Sequence, residues 1–159
     1  MATATKNVSK MDMLEEIQIL NMSNIDTFFP RTYGVGDYKI PKNGGHLVER
    51  REVIAQCQRG NPSFVGLDGR GNNACLWIDD ALTRIKVGFE SEDGSVKQFI
   101  VTKDTIKELL SIQDNTEFEK ALKEKILTVS DGFMLREYGK TNQMDKSEII
   151  SRFSRGETI

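Results

Sequence analysis

The sequence predicts an α+β fold, in which several amphipathic helices pack on a small antiparallel sheet built from β-hairpins. Two patterns support this class: stretches with apolar residues at helical spacing, and pairs of short apolar runs joined by turn-forming residues. Because helices and hairpins are mixed and no βαβ units alternate along the chain, a parallel sheet is disfavoured. The length of 159 residues, with 38% hydrophobic residues, suits a single domain, predicted over 9–156 after a flexible polar tail at 1–8.

The first predicted element is an amphipathic helix over about 9–21. Ser9 is a suitable N-cap, and Asp12 stands three residues later, where an acidic side chain completes a capping box. The apolar positions that follow at helical spacing are Met13, Leu14, Ile17, Leu20 and Met22.

A long irregular loop, rich in glycine and aromatic residues, is predicted over 23–46. Prolines and glycines interrupt any regular period in this stretch. A loop of this length is uncommon in a compact domain unless it binds a partner or is held in place. Its aromatic rings can pack either on the protein's own core or on a partner. The candidate partner-binding residues are Phe28, Phe29, Arg31, Tyr33 and Tyr38.

A helix over about 49–59 is predicted next, and it ends before Gly60. It contributes to the main local concentration of basic residues in the chain. Aromatic residues lie within this concentration, so binding of single-stranded nucleic acid is an alternative, although neighbouring acidic residues dilute the charge. The basic residues are Arg31, Lys39, Lys42, Arg50, Arg51 and Arg59.

Two apolar runs, at 63–67 and 74–78, predict strands that a turn-rich hexapeptide joins into a hairpin. The short helix after them can be capped by Asp79 or Asp80, and Gly88 is its expected end.

The C-terminal half predicts a further hairpin at Asp93-Gly94, two helices, another pair of strands and a closing helix. Thr116 and Glu119 form a capping-box pattern at the start of the second of these helices. The predicted elements are a strand over 96–101, a helix over 104–112, a helix from Thr116, strands near 126–129 and 133–138, and a helix capped at Asp145 that ends at Gly156.

Charge and composition disfavour several classes of function. The net charge is −2, from 22 basic and 24 acidic residues, so general affinity for nucleic acid receives no support. No apolar stretch approaches the length of a membrane span. Cys57 and Cys75 are the only cysteines, and their spacing matches neither a disulfide framework nor a zinc motif. We therefore expect a cytoplasmic location, or one inside an assembly formed in the cytoplasm such as a virion.

Catalytic and cofactor motifs are weak in this sequence. His46 is the only histidine, which excludes two-histidine metal and acid–base sites. A G-x-G-x-x-A pattern at 69–74 resembles a dinucleotide loop in spacing, but Asp68 beside it would repel a phosphate. The acidic cluster over 79–93 is explained by a helix cap and a hairpin tip. We expect no cofactor, no metal and no catalytic residues.

The sequence is most consistent with a non-enzymatic binding or assembly protein, such as a subunit or accessory component of a larger complex, for example a viral or phage structural protein. Other protein subunits are the expected partners, whereas a small-molecule ligand and a membrane are not expected. The alternative is a small enzyme or a nucleotide- or nucleic-acid-binding protein that uses the 68–74 loop, His46 and the 79–93 cluster.

Overall fold

The computed structural model describes residues 11–154, which contain seven helices and five strands. Antiparallel pairing and the mixture of helices with strands confirm the predicted α+β class. The contacts within the chain divide it into two compact units, and the boundary falls between Ile100 and Val101. The predicted tail at 1–8 and the predicted domain limits at 9 and 156 lie outside the described residues.

The first unit holds all of the strands of the described chain and three of its helices. In chain order these elements are β1 (Glu16–Asn21), β2 (Thr27–Pro30), β3 (Asp37–Ile40), β4 (Gly45–Glu49), α1 (Arg50–Gln58), α2 (Pro62–Val65), β5 (Leu76–Ile78) and α3 (Ala81–Lys86).

The main sheet has three antiparallel strands in the order β4-β1-β5. Ile17 and Ile19 on the central strand are buried, and Ile19 lies opposite Ile78. The predicted helix over 9–21 is therefore wrong where the structure describes it, while Ser9 lies outside the described residues. Ile17, Ile19 and Asn21 are buried, and this alternation is typical of a strand. The alternation is hard to recognise in the sequence because one of the buried residues is a polar asparagine.

The predicted long loop over 23–46 is wrong in part, because β2 and β3 pair as an antiparallel hairpin within it. The buried side chain of Asn21 ties this hairpin to β1: its Nδ2 donates to the carbonyls of Ile25, at 2.7 Å, and Ile40, at 3.0 Å. An amide buried in this way satisfies its hydrogen-bonding groups and sets the position of the hairpin relative to the central strand.

Helix α1 agrees with the helix predicted over 49–59, and Gly60 follows it with a φ of +75°. The strand predicted at 63–67 is wrong. Asn61 accepts a hydrogen bond from the backbone N–H of Ser63, and Pro62 occupies the first helical position, so this segment starts the short helix α2.

The run predicted as a strand at 74–78 does contain β5, but β5 pairs with β1 and forms no hairpin with 63–67. The capping of the next helix is confirmed, since the Asp80 carboxylate accepts from the N–H of Thr83 at the start of α3. At Asp93-Gly94 the predicted turn is present, but the flanking residues form no strands.

Arg50 joins the start of α1 to other parts of the first unit. Its side chain is 2% exposed, and its guanidinium donates to Thr83 Oγ1 at 3.0 Å and to the Asp80 carboxylate at 3.2 Å. It also donates to Glu15 and to the backbone carbonyl of Asp12. A buried guanidinium requires such a set of acceptors, so these contacts fix α1 against α3 and the segment before β1.

The second unit is helical throughout its described part and comprises α4 (Lys103–Leu110), α5 (Asn115–Lys125), α6 (Val129–Tyr138) and α7 (Met144–Ser154). The predicted helix at 104–112 is confirmed by α4. The helix predicted from Thr116 is confirmed as α5, but its cap is Asp114, which accepts from the N–H of Glu117.

The strands predicted at 126–129 and 133–138 are wrong, because helix α6 occupies this stretch. Thr128 and Asp131 form a reciprocal capping box at its start, so the residues that resembled a turn instead begin a helix. The closing helix is confirmed as α7, but it begins at Met144, so Asp145 lies in its first turn and is not its cap. The predicted end at Gly156 lies outside the described residues. Within residues 11–154, no helix has the length and apolar character needed to cross a membrane.

Candidate functional site

The inner face of the β2–β3 hairpin is part of the core of the first unit. Phe29 lies opposite Tyr38, and their rings stack with centroids 5.2 Å apart. Phe64 of α2 contacts Phe29 edge-on, also at 5.2 Å. Burial raises the pKa of Tyr38 above its ordinary value of 10.0, because the phenolate would lose hydration. Phe29 and Tyr38 therefore anchor the hairpin.

The outer face of the hairpin exposes a large aromatic ring. Phe28 is 59% exposed and lies opposite Lys39, whose Nζ is 5.9 Å from the ring centroid. Lys39 also forms an ion pair with Asp26 at 3.4 Å. The next residue in the strand, Phe29, points inward. Because successive side chains of a β-strand point to opposite faces, Phe28 and Phe29 lie on opposite faces of the hairpin.

The backbone of the loop at the tip of the hairpin, residues 31–36, is hydrogen-bonded to a side chain of α1. The N–H of Arg31 donates to the carbonyl of Gly36 at 3.0 Å and closes the loop. Glu52 accepts from the N–H of Thr32 at 2.7 Å and from the N–H of Tyr33 at 3.2 Å. Because Glu52 is only 1% exposed, these charge-assisted hydrogen bonds form away from competing water.

The charge of Glu52 is maintained by the groups that surround it. Burial alone would raise the pKa of Glu52, but hydrogen bonds from Thr32, Tyr33 and Gln56 outweigh this effect and lower the pKa below 4.5. Gln56 also donates to the carbonyl of Pro30 at 2.8 Å, just before the loop. One turn of α1 thus supplies both an acceptor and a donor for the backbone of the hairpin.

Two arginine side chains lie against aromatic rings beside this loop. The guanidinium carbon of Arg31 is 4.1 Å from the ring centroid of Tyr38, and that of Arg51 is 4.2 Å from the ring centroid of Tyr33. Arg51 also donates to Glu49 at 2.6 Å. Such cation–π contacts restrict the rotamers of exposed side chains.

The loop nevertheless presents apolar groups to solvent. Tyr33 is 45% exposed and Val35 is 98% exposed. We call the exposed apolar side chains Phe28, Tyr33 and Val35, together with the basic side chains Arg31 and Lys39 beside them, the hairpin surface.

The structure divides the candidate partner-binding residues into two groups. Phe28, Arg31 and Tyr33 are exposed, whereas Phe29 and Tyr38 lie in the core. Val35 and the supporting role of Glu52 were not predicted from the sequence. The position of Val35 between Gly34 and Gly36, where no neighbouring side chain can cover it, was the signal that could have indicated its exposure. Nothing in the sequence pairs Glu52 with a loop about twenty residues away.

The residues of the alternative, enzymatic interpretation have structural contacts of their own. His46 lies on β4, at the opposite edge of the sheet from Asp79, which follows β5. Asp80 caps α3, and Glu90 pairs with Arg84 at 2.7 Å. Asp68 accepts hydrogen bonds from the backbone of Arg70 and from Asn72, and so closes the 68–74 loop on itself. The structure does not bring His46 and Asp79 together.

The described residues offer neither a metal site nor a reactive thiol at Cys57. Among residues 11–154, no three side chains of histidine, cysteine, aspartate or glutamate come together as a metal ligand set. Cys57 and Cys75 are both free thiols, and burial raises the pKa of the Cys57 thiol to about 12. A thiol with so high a pKa is a poor nucleophile at neutral pH, because only the thiolate reacts.

The predicted basic concentration is dispersed in the structure. Arg50 is buried among hydrogen-bond acceptors, while Arg51 and Lys39 are paired with Glu49 and Asp26. Three of its six charges therefore already have acidic partners, which leaves half of them to neutralise phosphates.

No protein-family model, no curated protein and no solved structure matches this chain.

Proposed function

We propose that the chain is a non-enzymatic binding protein and that the hairpin surface of its first unit contacts a protein partner. The observation that carries this proposal is the exposure of Tyr33 and Val35 on a loop whose backbone is held by the buried carboxylate of Glu52. Single exposed apolar side chains are common on protein surfaces, but Tyr33 and Val35 lie two residues apart on a loop whose backbone is already held in place.

The ordered backbone of the loop at residues 31–36 favours binding because it is preorganised. Ordering a flexible loop on association costs conformational entropy, so a loop that is already ordered binds more tightly through the same contacts. Aromatic side chains such as Tyr33 and Phe28 add large contact areas with few rotatable bonds. The hairpin surface meets both conditions.

The composition of the surface favours a protein over a nucleic acid. The cations nearest to its rings are largely neutralised, since Lys39 pairs with Asp26 and Arg51 with Glu49. A partner with an apolar patch and a few acidic side chains at its rim would complement Val35, Tyr33 and Arg31.

Site-specific photo-crosslinking tests this proposal. A photoreactive amino acid placed at Val35 should crosslink a protein from the native source, or a second copy of the chain, whereas the same group at Leu67 should not. Leu67 is a matched position because it is also an exposed apolar residue of the first unit, at 62% exposure.

Substitution should produce the same contrast in binding. We expect Val35→Asp to weaken capture of the crosslinked protein by at least about tenfold, as a charge placed in an apolar contact would, while Leu67→Asp leaves it unchanged. Equal crosslinking at both positions, or equal capture by both variants, would contradict the proposal. Crosslinks to RNA or DNA instead of protein would also contradict it.

A further inference from the structure

The second unit carries a groove with one cationic end and one apolar end. The cationic end is a cavity of about 390 Å³ between α6 and α7, with the buried residues Ile150 and Gly139 among its lining. Its polar lining consists of Arg136, Lys140, Ser147, Ser151 and Ser154.

The apolar end is a second cavity of about 320 Å³, which shares Arg136 and Ser154 with the first. The two cavities therefore adjoin at these two side chains. Leu127, Val129 and Phe153 line this end, and Leu127 and Val129 are 52% and 76% exposed. We call the two cavities together the α6–α7 groove.

The positive charge of the groove has no partner within the described part of the chain. Arg136 and Lys140 form no ion pair with any of residues 11–154, and none of the described residues that line the groove carries a carboxylate. Arg136 is held in place by Phe133, since its guanidinium carbon lies 4.4 Å from the centroid of that ring. A guanidinium that rests on a ring, has no ion-pair partner among residues 11–154 and lies beside an apolar wall favours a ligand that is both anionic and apolar.

We propose that the α6–α7 groove binds an acidic, partly apolar peptide segment of a protein partner. Its carboxylates would pair with Arg136 and Lys140 and accept from the serine hydroxyls, while its apolar side chains would cover Leu127 and Val129. Inorganic phosphate or a phosphate monoester fits less well, because it would leave the apolar end empty.

This proposal concerns the second unit and does not depend on the hairpin surface. The probes are short synthetic peptides of equal length: one combines leucine and glutamate, the second has lysine in place of glutamate, and the third has serine in place of leucine. Binding to the full chain is followed by fluorescence anisotropy and by amide NMR shifts. Inorganic phosphate and vesicles of anionic lipid serve as further arms.

We expect the leucine–glutamate peptide to bind and to shift the amides of Val129 and Ser151, and the other two peptides to bind at least about tenfold more weakly. The double variant Arg136→Glu with Lys140→Glu should lose this preference. The control is Lys120→Glu with Lys123→Glu, which changes the net charge equally at exposed positions of α5 and should bind as the wild type does.

The proposal would be overturned if the leucine–glutamate peptide did not bind, or if the control variant lost as much peptide affinity as the Arg136–Lys140 variant. It would also be overturned if phosphate or anionic vesicles bound more tightly than this peptide. The variant Val35→Asp separates the two surfaces, since it should leave peptide binding unchanged. Circular dichroism of each variant shows whether the helices persist, and the three-peptide comparison on the wild-type chain needs no variant.

Discussion

Two buried polar side chains, Glu52 and Asn21, hold the backbone of neighbouring segments in place. Glu52 is 1% exposed, yet it serves the backbone of a surface loop and not a neighbouring charge. Asn21 does the same for the segment after β1 and for the end of β3. In both cases the side chain satisfies N–H or carbonyl groups that no strand partner reaches, and the loss of one partner leaves the other buried and unpaired.

Removing the Glu52 carboxylate should destabilise the first unit and loosen its loop. We expect Glu52→Ala to lower the free energy of unfolding by about 2–3 kcal/mol, because two backbone N–H groups lose a charged acceptor. Hydrogen exchange at the amide of Tyr33 should accelerate, as measured by NMR. The control is Glu49→Gln, since the Glu49–Arg51 pair is partly exposed and should contribute no more than about 1 kcal/mol. If both variants unfold alike and exchange at Tyr33 is unchanged, Glu52 does not hold the loop.

At the scale of elements, local capping chemistry explains several of the differences between prediction and structure. Asp131 and Gly132 resemble a hairpin turn in sequence, but Thr128 and Asp131 bond reciprocally at a helix start. Likewise, Pro62 follows Asn61 at the start of α2, where an apolar run suggested a strand. At α3 the sequence offered Asp79 or Asp80 as the cap, and the structure selects Asp80.

Short apolar runs could not be assigned from spacing alone. Between Met13 and Met22 the apolar residues fit a helical period, and the alternation that defines β1 includes the buried polar residue Asn21. Whether such a segment becomes a helix or a strand depends on the partners available to it. Here β4 and β5 both pair with it, which stabilises the extended form.

Lys146 connects two helices of the second unit and permits a test at this scale. It is 3% exposed, and its Nζ donates to the carbonyl of Leu110 at 2.6 Å, at the C-terminal end of α4. The ammonium lies 5.5 Å from the ring centroid of Phe118. A cation in this position satisfies a helix-end carbonyl and interacts favourably with the helix dipole.

We expect Lys146→Ala to cost about 2–4 kcal/mol of unfolding free energy, since both the packed hydrocarbon chain and the donor to Leu110 are lost. Lys146→Met keeps most of the apolar volume and should cost about 1–2 kcal/mol, in proportion to the lost hydrogen bond. Urea unfolding of the two variants and the wild type measures this order. Because both variants lose the hydrogen bond, a Met variant no more stable than the Ala variant would show that the packed hydrocarbon chain does not contribute to stability.

At the scale of the whole molecule, acid-sensitive contacts are found throughout the first unit. Burial would raise the pKa of Glu52, Asp68 and Asp80, but hydrogen bonds to their carboxylates outweigh it and lower each pKa. The N–H of Lys42 lowers the pKa of Asp26, and the Ser91 hydroxyl, with Ser95, lowers that of Asp93 to about 2. Each of these groups binds its proton less readily in the folded than in the unfolded chain.

The stability of the first unit should therefore decrease as the pH falls. The contribution of these carboxylates is fully present above their ordinary pKa values of 3.8 and 4.5, and it is lost as the pH falls through the lowered folded values toward about 2. Thermal unfolding followed between neutral and acidic pH measures this decrease. Glu52→Gln should flatten part of it. A midpoint that stays constant or rises with acid would contradict the assignment.

The sequence by itself determined the fold class, the helices α1, α3, α4, α5 and α7, and the stretch in which exposed aromatic residues occur. These features follow from local spacing, capping and composition, which any short window of the chain contains. Only the tertiary structure decided that β1 is a strand, that Phe29 and Tyr38 turn inward while Phe28 and Tyr33 remain exposed, and that Glu52 holds the loop beneath Val35. The physical reason is that burial and hydrogen-bond partners depend on residues far apart in the chain, and a single sequence does not state which of them meet.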